Sequence, residues 1–383
     1  MESAAAVAAA WEWTSGGLHR VMCMQGGEDD VSYIKNCEGP ACAITLCKPM
    51  LMSAIQSMNL HEEENDKNKT LRIADLGCAT GYNTVATVEM VVEALRRRSK
   101  EPPEVEAFFC DLPSNDFNTL FRWLSDNRKA STRFFAAGVG GSFYTRLFPT
   151  GKLHVAVSLS ALHWLSQIPE RVLEKGKRTW NKGRAWIEGA EKEVVDAYAE
   201  QSDKDLDEFL RCRKEEMVKG GVLFMLMGAR PSGSNSQLLD DDSRDKHPFT
   251  ISMDQAWQDL VDEGLIDEET RDGFNIPAYM RNAEEVAAGI DRCGGFKIEK
   301  MEYMKIPEHS DEKQEASKKD PVSYGRARAN LVRATLRPMV EAYIGPYLSD
   351  QFFQRYENRV SSNTNLLHKT CFYGVIVVSA TRV

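Results

Sequence analysis

Five short apolar runs stand out along this chain. They are Leu71–Asp75, Val105–Cys110, Leu153–Leu159, Val222–Met227 and Phe372–Ser379. Short runs that are apolar almost throughout predict strands buried on both faces, which is typical of a parallel sheet covered on both sides.

Helical periodicity separates several of these strands. The apolar spacing of Val85, Val88 and Val92 predicts a helix over Thr84–Leu95. Further helices are predicted over Lys192–Lys219, Ser252–Asp262, Asn282–Cys293 and Ala327–Ile344, and polar, turn-rich loops over Asn59–Lys69, Pro231–His247 and Pro307–Pro321. Strands that alternate with helices indicate a doubly wound α/β core, and the later helices favour an α-helical cap over its ligand-binding edge.

The domain prediction is one unit over residues 1–383. Its core takes up approximately 70–230 and 290–383. The helical cap, mainly 160–215 and 240–350, is interleaved with that core.

Charge and composition narrow the class of partner. A net charge of −9 argues against binding to a nucleic-acid backbone, which needs a basic face. No apolar run approaches the ~18 residues of a membrane span, and Met1–Trp13 lacks a basic start, so neither a membrane anchor nor a secretory signal is predicted. Nine cysteines without CxxC spacing indicate reduced thiols. The expected location is cytoplasmic.

A glycine-containing turn follows the first strand. Asp75-Leu76-Gly77-Cys78-Ala79-Thr80-Gly81 lacks both GxGxxG and GxxxxGK[ST], so the cofactor need not carry phosphates. A second acid, Asp111, ends the next strand, where a carboxylate can accept two ribose hydroxyls. This arrangement fits S-adenosylmethionine, although the turn alone could also be purely structural.

The chain resembles the SABATH family of plant small-molecule methyltransferases along nearly its whole length. This family includes salicylate, benzoate, jasmonate and cinnamate carboxyl methyltransferases and caffeine-pathway N-methyltransferases. The matching segments include Met24-Gln25-Gly26-Gly27, Asp75-Leu76-Gly77-Cys78, Asp111-Leu112-Pro113, Gly141-Ser142-Phe143-Tyr144, His163-Trp164-Leu165-Ser166 and Phe274-Asn275-Ile276-Pro277. The resemblance implies a Rossmann-like class I methyltransferase sheet with an α-helical cap. It also implies methyl transfer to the carboxylate of a small organic acid, expected to be aromatic and similar to cinnamate, benzoate or salicylate.

The resemblance assigns the cofactor side by position. Asp75 holds the methionine end of the cofactor, and Asp111 holds the ribose. The adenine lies against Leu112 and between Ser142 and Phe143, and Tyr33 completes the expected cofactor-binding set.

On the substrate side the chain departs from the family. Trp164 is expected to tether the substrate carboxylate through its indole N–H, with help from His163 or Gln25. The family's second tether, a glutamine, is matched by Pro40, which offers no side-chain donor. The family's tyrosine in its serine-rich stretch is matched by Ser160.

Two further properties follow only from the resemblance. In some relatives, residues like Asn181, Asp272, Phe274 and Asn275 hold a magnesium ion away from the chemistry, so these residues are candidate ligands of a structural Mg²⁺ here. Family members are commonly homodimers.

The expected chemistry is in-line transfer from a sulfonium to a carboxylate. A carboxylate has a pKa of roughly 4 and is already ionised at pH 7, so no general base is required. N- or S-methylation of a small heterocycle or thiol is the alternative reaction. A binding protein that has lost turnover and an NAD-linked oxidoreductase are further alternatives, which the intact Asp75, Asp111 and Trp164 and the missing GxGxxG disfavour.

Overall fold

A computed structural model describes residues 17–60, 70–98, 103–127, 133–233, 248–307, 311–363 and 372–383. Within these ranges one seven-stranded sheet has the order β3-β2-β1-β4-β5-β7-β6. The strands are β1 (Thr70–Leu76), β2 (Glu104–Asp111), β3 (Phe135–Gly140), β4 (Leu153–Leu159), β5 (Met217–Ala229), β6 (Phe296–Pro307) and β7 (Phe372–Arg382). The predicted α/β core is therefore confirmed.

The sheet is mixed in direction. Strands β1 to β5 run parallel to one another, whereas β7 runs antiparallel to both β5 and β6. The expectation of a parallel sheet is wrong at this edge, because an apolar run predicts burial on both faces but carries no information about direction. Strands β3 and β6 lie outside the runs identified from the sequence.

The described residues contain nine α-helices. They are α1 (Glu38–Ser57), α2 (Tyr82–Arg97), α3 (Phe117–Asn127), α4 (Lys192–Glu216), α5 (Pro248–Asp262), α6 (Glu268–Gly273), α7 (Ala283–Cys293), α8 (Asp311–Lys319) and α9 (Pro321–Ser361). Two predictions need correction. The helix expected over Lys192–Lys219 ends at Glu216 because Met217 already pairs with Leu153 in the sheet, and the loop expected over Pro307–Pro321 contains α8.

Three expectations fall wholly or largely on residues outside the described ranges. They concern the start of the chain (Met1–Trp13) and the loops over Asn59–Lys69 and Pro231–His247. The eight cysteines within the described ranges are free thiols.

Alternate residues of each central strand face opposite cores. Ile73 of β1 packs in one apolar cluster with Val88 of α2, whereas its neighbour Ala74 packs in another with Leu206 of α4. Burial on both faces explains why these strands read as continuous apolar runs.

The cap has an aromatic core of its own. Trp257 of α5 packs 4.8 Å from Phe274 and 4.7 Å from Phe352, measured between ring centroids. Helix α9 supplies much of this core and turns sharply at Gly345, whose φ is 81°.

The chain order reverses between β1 and β4, which are neighbours in the sheet. Ligands of open α/β sheets bind in the crevice outside the carboxyl ends of the strands at such a reversal. Among the described helices, none is long and apolar enough to cross a membrane.

Candidate active site

A cavity of about 920 Å³ lies at the carboxyl ends of the parallel strands, beneath α9. Its wall combines the segment around Tyr33, the turns after β1 to β4, and one face of α9. Most residues expected to bind cofactor or substrate line it together: Tyr33, Asp75, Asp111, Leu112, Ser142, Phe143, His163 and Trp164.

The turn after β1 is closely packed. Gly77 has a φ of +88°, and a Cβ added to it would lie 2.3 Å from the Cβ of Ala161. The N–H groups of Gly77 and Cys78 both donate to the carbonyl of Cys110, at 2.8 and 3.1 Å. Only glycine meets both requirements, a left-handed backbone and an approach without a side chain.

Asp75 places a buried carboxylate at the floor of the cavity. One oxygen accepts a hydrogen bond from the hydroxyl of Thr84, whereas Oδ1 is buried without a hydrogen-bond partner among the described residues. Burial raises the pKa of Asp75 to about 7. An acceptor of this kind suits a cationic donor from a ligand, because such a donor would satisfy the oxygen and favour its ionised form.

Asp111 joins two turns. Its Oδ2 accepts from the N–H of Ala79 at 2.7 Å, and its Oδ1 accepts from the N–H of Leu112 at 2.8 Å. The first bond holds Ala79 at a φ of 51°, which a non-glycine residue rarely adopts. Burial raises the pKa of Asp111 to about 6. Each carboxylate oxygen keeps lone pairs for a further donor, as binding of ribose hydroxyls requires.

A buried ion pair fixes the loop that carries Ser142 and Phe143. Arg213 donates to the carbonyl of Phe143 at 2.8 Å and to the carboxylate of Glu216 at 2.7 Å. Both side chains of this pair are fully buried. The ring of Phe143 therefore has a fixed position on the cavity wall, beside the turn that contains Gly77.

The segment with two glycines is held by Asp116. The N–H of Gly27 donates to Asp116 Oδ2 at 3.1 Å, and a Cβ on Gly26 would lie 2.6 Å from the same oxygen. The carbonyl of Gln25 accepts from the N–H of Tyr33 at 2.9 Å, which directs Tyr33 to the cavity. Gln25 itself is absent from the described wall of the cavity. We therefore leave it out of the substrate site proposed below.

The turn after β4 carries the expected substrate tether. Ser160 has a φ of 61°, and the hydroxyl of Tyr144 donates to the carbonyl of Trp164 at 2.5 Å. His163 Nδ1 accepts from the N–H of Gly228 at 3.4 Å, and burial lowers the pKa of His163 to about 4. The imidazole is therefore neutral at pH 7, with its proton on Nε2. Trp164 and His163 thus bring two N–H donors to this part of the wall.

Pro40 lines the cavity from the first turn of α1. Proline is tolerated there because the first N–H groups of a helix have no intrahelical acceptor. Pro40 and Ser160 together leave the wall without the glutamine and tyrosine side chains of the family pattern. Both departures noted in the sequence therefore face the cavity.

One part of the wall was missed by the sequence analysis. Tyr324, Arg328, Leu331 and Thr335 of α9 line the cavity from the cap. Their spacing places them on one face of the helix, which is a signal that the sequence does contain. A charged residue in such a pattern is nevertheless usually interpreted as solvent-exposed.

The residues expected to hold Mg²⁺ come together but bond to one another. Asn181 Nδ2 donates to Asn275 Oδ1 at 2.7 Å, and Asp272 Oδ1 accepts from Gly183 N at 2.8 Å. Arg271 also pairs with that carboxylate oxygen at 2.7 Å. Since a guanidinium already neutralises the single carboxylate, this donor set does not fit a divalent cation, although Asn181 Oδ1 is buried without a hydrogen-bond partner among the described residues. Within the described residues there is also no cluster of three His, Cys, Asp or Glu side chains suited to a metal ion.

Comparison with known proteins agrees with this geometry. The sequence model of the family "SAM dependent carboxyl methyltransferase" matches residues 19–383. Gibberellic acid methyltransferase 2 of Arabidopsis thaliana is 66% identical over 391 residues, covering 100% of both chains. Gibberellic acid methyltransferase 1 of the same plant is 61% identical, covering 97% of this chain and 100% of its own.

A solved structure gives the same result for the fold. Loganic acid methyltransferase with SAH superposes with a TM-score of 0.80 at 32% identity, covering 94% of this chain and 98% of that chain. The expected methyltransferase fold is confirmed, and the cofactor is S-adenosylmethionine. The chain belongs to the SABATH family of S-adenosylmethionine-dependent carboxyl methyltransferases.

Proposed function

We propose that the substrate is a gibberellin-type acid, a rigid polycyclic carboxylic acid, and that the product is its methyl ester. The observation that carries this proposal is the 66% and 61% identity to two gibberellic acid methyltransferases over essentially the whole chain. It replaces the expectation of a cinnamate-, benzoate- or salicylate-like acid. The same two relatives are named for an acid, whereas a 3,7-dimethylxanthine N-methyltransferase is only 31% identical, so carboxyl methylation is favoured over N- or S-methylation.

The replacements at Pro40 and Ser160, which both line the cavity, support a bulky acid. Pockets for a single drug-sized ligand measure roughly 300–1,000 Å³. The volume here is about 920 Å³ and must hold both cofactor and acid. Pro40 and Ser160 widen the part near Trp164 relative to a wall that carries glutamine and tyrosine.

The two buried carboxylates indicate which end of the cavity binds the cofactor. S-adenosylmethionine supplies an electrophilic methyl group on a sulfonium. Asp75 Oδ1 suits its methionine ammonium, and Asp111 suits the ribose hydroxyls. Leu112, Ser142 and Phe143 provide a flat, largely apolar slot for the adenine, and Tyr33 closes this end of the cavity.

Trp164 and His163 orient the acid. The indole N–H of Trp164 and the Nε2–H of His163 donate to the substrate carboxylate and direct one oxygen towards the methyl group. His163 does not act as the base, because its pKa of about 4 makes it a weak proton acceptor and the acid is already ionised at pH 7.

The cap covers this arrangement and limits its contact with water. A closed cavity strengthens the attraction between the carboxylate and the sulfonium, because fewer water dipoles screen it. Positioning of the two reactants can supply up to ~7–11 kcal/mol of the lowered barrier.

A substrate panel tests the proposal. The purified protein is incubated with methyl-labelled cofactor and gibberellic acid, benzoate, salicylate, cinnamate, a xanthine or a thiol. The expected result is a base-labile ester, with the highest kcat/KM for gibberellic acid. A higher kcat/KM for any of the aromatic acids would contradict the proposed substrate, and a base-stable product would contradict carboxyl transfer.

A further inference from the structure

One face of α9 forms the part of the cavity wall that belongs to the cap. Tyr324, Arg328, Leu331 and Thr335 follow one another at intervals of three or four residues and all line the cavity. The neighbouring Val332 lies in the aromatic and apolar core of the cap instead. The packing of α9 in that core therefore fixes which side chains reach the cavity.

Arg328 places a buried positive charge in this wall. Its exposed fraction is 6%, whereas the side chains of Lys35 and Lys313, which also line the cavity, are 51% and 56% exposed. Both lysines pair with surface carboxylates, at Asp30 and Glu38. Among the described lysines and arginines of the wall, Arg328 alone is buried.

Arg328 lies less than two turns of α9 away from the part of the helix that contacts the cofactor end. The N–H of Gln25 donates to the carbonyl of Ala334 at 2.7 Å, and the carbonyl of Gln25 accepts from Tyr33. Tyr33 lies near the carboxyl groups of Asp75 and Asp111, which, after burial, contribute to raising the pKa of its phenol. Ala334 is six positions after Arg328, which corresponds to roughly 9 Å along the helix axis.

The outer end of the cavity lies in the other direction along the chain. The wall there includes Lys313 of α8 and Asp320 at the start of α9. Lys313 pairs with Glu38 at the start of α1. Arg328 therefore lies between the cofactor end and this outer end. This placement favours contact between Arg328 and the part of the substrate that does not react.

We propose that Arg328 binds an oxygen acceptor on the ring system of the substrate, at the end opposite to the reacting carboxylate. This inference rests on the proposed function and specifies its substrate class as polycyclic acids with a second oxygen function, a carbonyl or a hydroxyl. A guanidinium carries five N–H donors in a fixed fork, so it can bind a substrate oxygen while keeping contacts with the protein. A site built to donate a hydrogen bond discriminates strongly against an analogue that lacks the acceptor.

Two acids of matched size test the proposal. One is gibberellic acid, and the other is a tetracyclic diterpene acid whose only oxygens belong to its carboxylate. In Arg328→Met we expect KM for gibberellic acid to rise about 10- to 100-fold with kcat nearly unchanged, and KM for the plain acid to stay the same or fall. Arg328→Lys keeps the charge but loses the fork, so it should retain part of the discrimination.

Arg326→Met is the matched control. Arg326 lies two residues away on α9, has a side chain that is 66% exposed, and pairs with Glu357. Its replacement should leave both KM values unchanged. Cofactor affinity, measured by calorimetry, should stay the same in all three variants.

The outcomes separate the two proposals. If the unmodified protein methylates neither acid, the proposed function fails and this inference fails with it. If it methylates both acids with equal kcat/KM, or if Arg328→Met raises KM equally for both acids, only the role of Arg328 is overturned. Should Arg328→Met not fold, Arg328→Lys decides, and unchanged discrimination in that variant would overturn the role.

Discussion

The two ends of the cavity are built differently. The cofactor wall, which we define as Asp75, Gly77, Asp111 and Ser142, consists of turns at the ends of parallel strands. The substrate wall, which we define as Pro40, Ser160, Trp164 and Arg328, is assembled from α1, the turn after β4 and the cap helix α9. Backbone geometry forms the first wall, whereas exchangeable side chains largely form the second.

This difference explains why the cofactor wall is easier to recognise in the sequence than the substrate wall. A left-handed glycine and two buried carboxylates leave few alternatives, so the cofactor wall is marked by short motifs at the strand ends. A residue on a helix face can change without altering the helix. The substrate wall can therefore vary between relatives that share a cofactor.

The largest expected effect is on the turn of the cofactor wall. In Gly77→Ala the new Cβ meets Ala161 and the backbone keeps a φ of +88°, so the free energy of unfolding should fall by about 3 kcal/mol or more. Gly151→Ala is the control, since Gly151 also has a positive φ but no atom lies within 4 Å of the added Cβ. It should lose only about 1 kcal/mol. Equal losses in chemical denaturation would show that crowding at Gly77 is unimportant.

Asp111→Ala should weaken binding at the cofactor wall while leaving binding at the substrate wall nearly unchanged. Two hydrogen bonds from ribose to a carboxylate are removed, each contributing ~1.5–3 kcal/mol, so the dissociation constant of the cofactor should rise about 100-fold or more. Affinity for the acid should change far less, because Asp111 belongs to the cofactor wall. Calorimetry with each ligand measures both. Unchanged cofactor affinity would refute the assigned role.

Trp164→Phe addresses the substrate wall. The ring is largely kept and the N–H is lost, so kcat/KM for the acid should fall about 10- to 100-fold while cofactor affinity stays constant. Trp186→Phe is a matched control, because the indole of Trp186 donates to the carbonyl of Ala278 inside the cap at 2.7 Å. That variant should lose stability but keep kcat/KM. Wild-type rates in Trp164→Phe would end the tether hypothesis.

The pH dependence of stability should report on Asp75. The unfolded carboxyl has a pKa near 3.8 and the folded one about 7, so between these values the folded state holds a proton that the unfolded state has released. Without cofactor, this group therefore makes the protein less stable as pH rises from 4 to 7, by up to about 1.4 kcal/mol per pH unit. Asp75→Asn should remove this contribution to the slope, leaving that of Asp111, whose pKa burial also raises, to about 6, and should raise the melting temperature at pH 8. A slope equal to the wild type's would exclude Asp75 as its source.

The smallest effect is expected at Pro40. Pro40→Gln restores the donor of the family pattern in a first helical turn that tolerates it, and should raise kcat/KM for benzoate or salicylate several-fold, equivalent to about 1 kcal/mol. The added side chain should lower kcat/KM for gibberellic acid. Steady-state kinetics on both acids check this. Parallel changes for both would mean that residue 40 does not select between them.

The sequence was sufficient for the centre of the sheet but not for its edges. Strands β1 and β4 are apolar on both faces because two cores cover them, and that burial is visible as an uninterrupted run. Strand β3 consists of Phe135–Gly140, mostly small and partly exposed residues, and β6 alternates between apolar and charged positions. Neither produces such a run, and direction is set by connections that the runs do not contain.

The same limit applies to the candidate site. Asp75 and Asp111 stand at strand ends and could be identified from position alone. Arg328 lies 253 positions after Asp75 and meets the same cavity only because the cap folds over the sheet edge. Its burial depends on tertiary packing, which a helical pattern with a charged residue does not reveal.

The position of strand β7 in the sheet affects how the chain folds while it is being synthesised. It lies between β5 and β6, although both precede it in the chain, and among the described strands β6 pairs with β7 alone. Until β7 has been made, the apolar β5 is an open edge that other chains can join. Pairing across this distance is slow because a long loop must close first. Strand β7 therefore matters for folding yield as well as for the finished enzyme, whose cavity it lines through Tyr373, Gly374 and Val375.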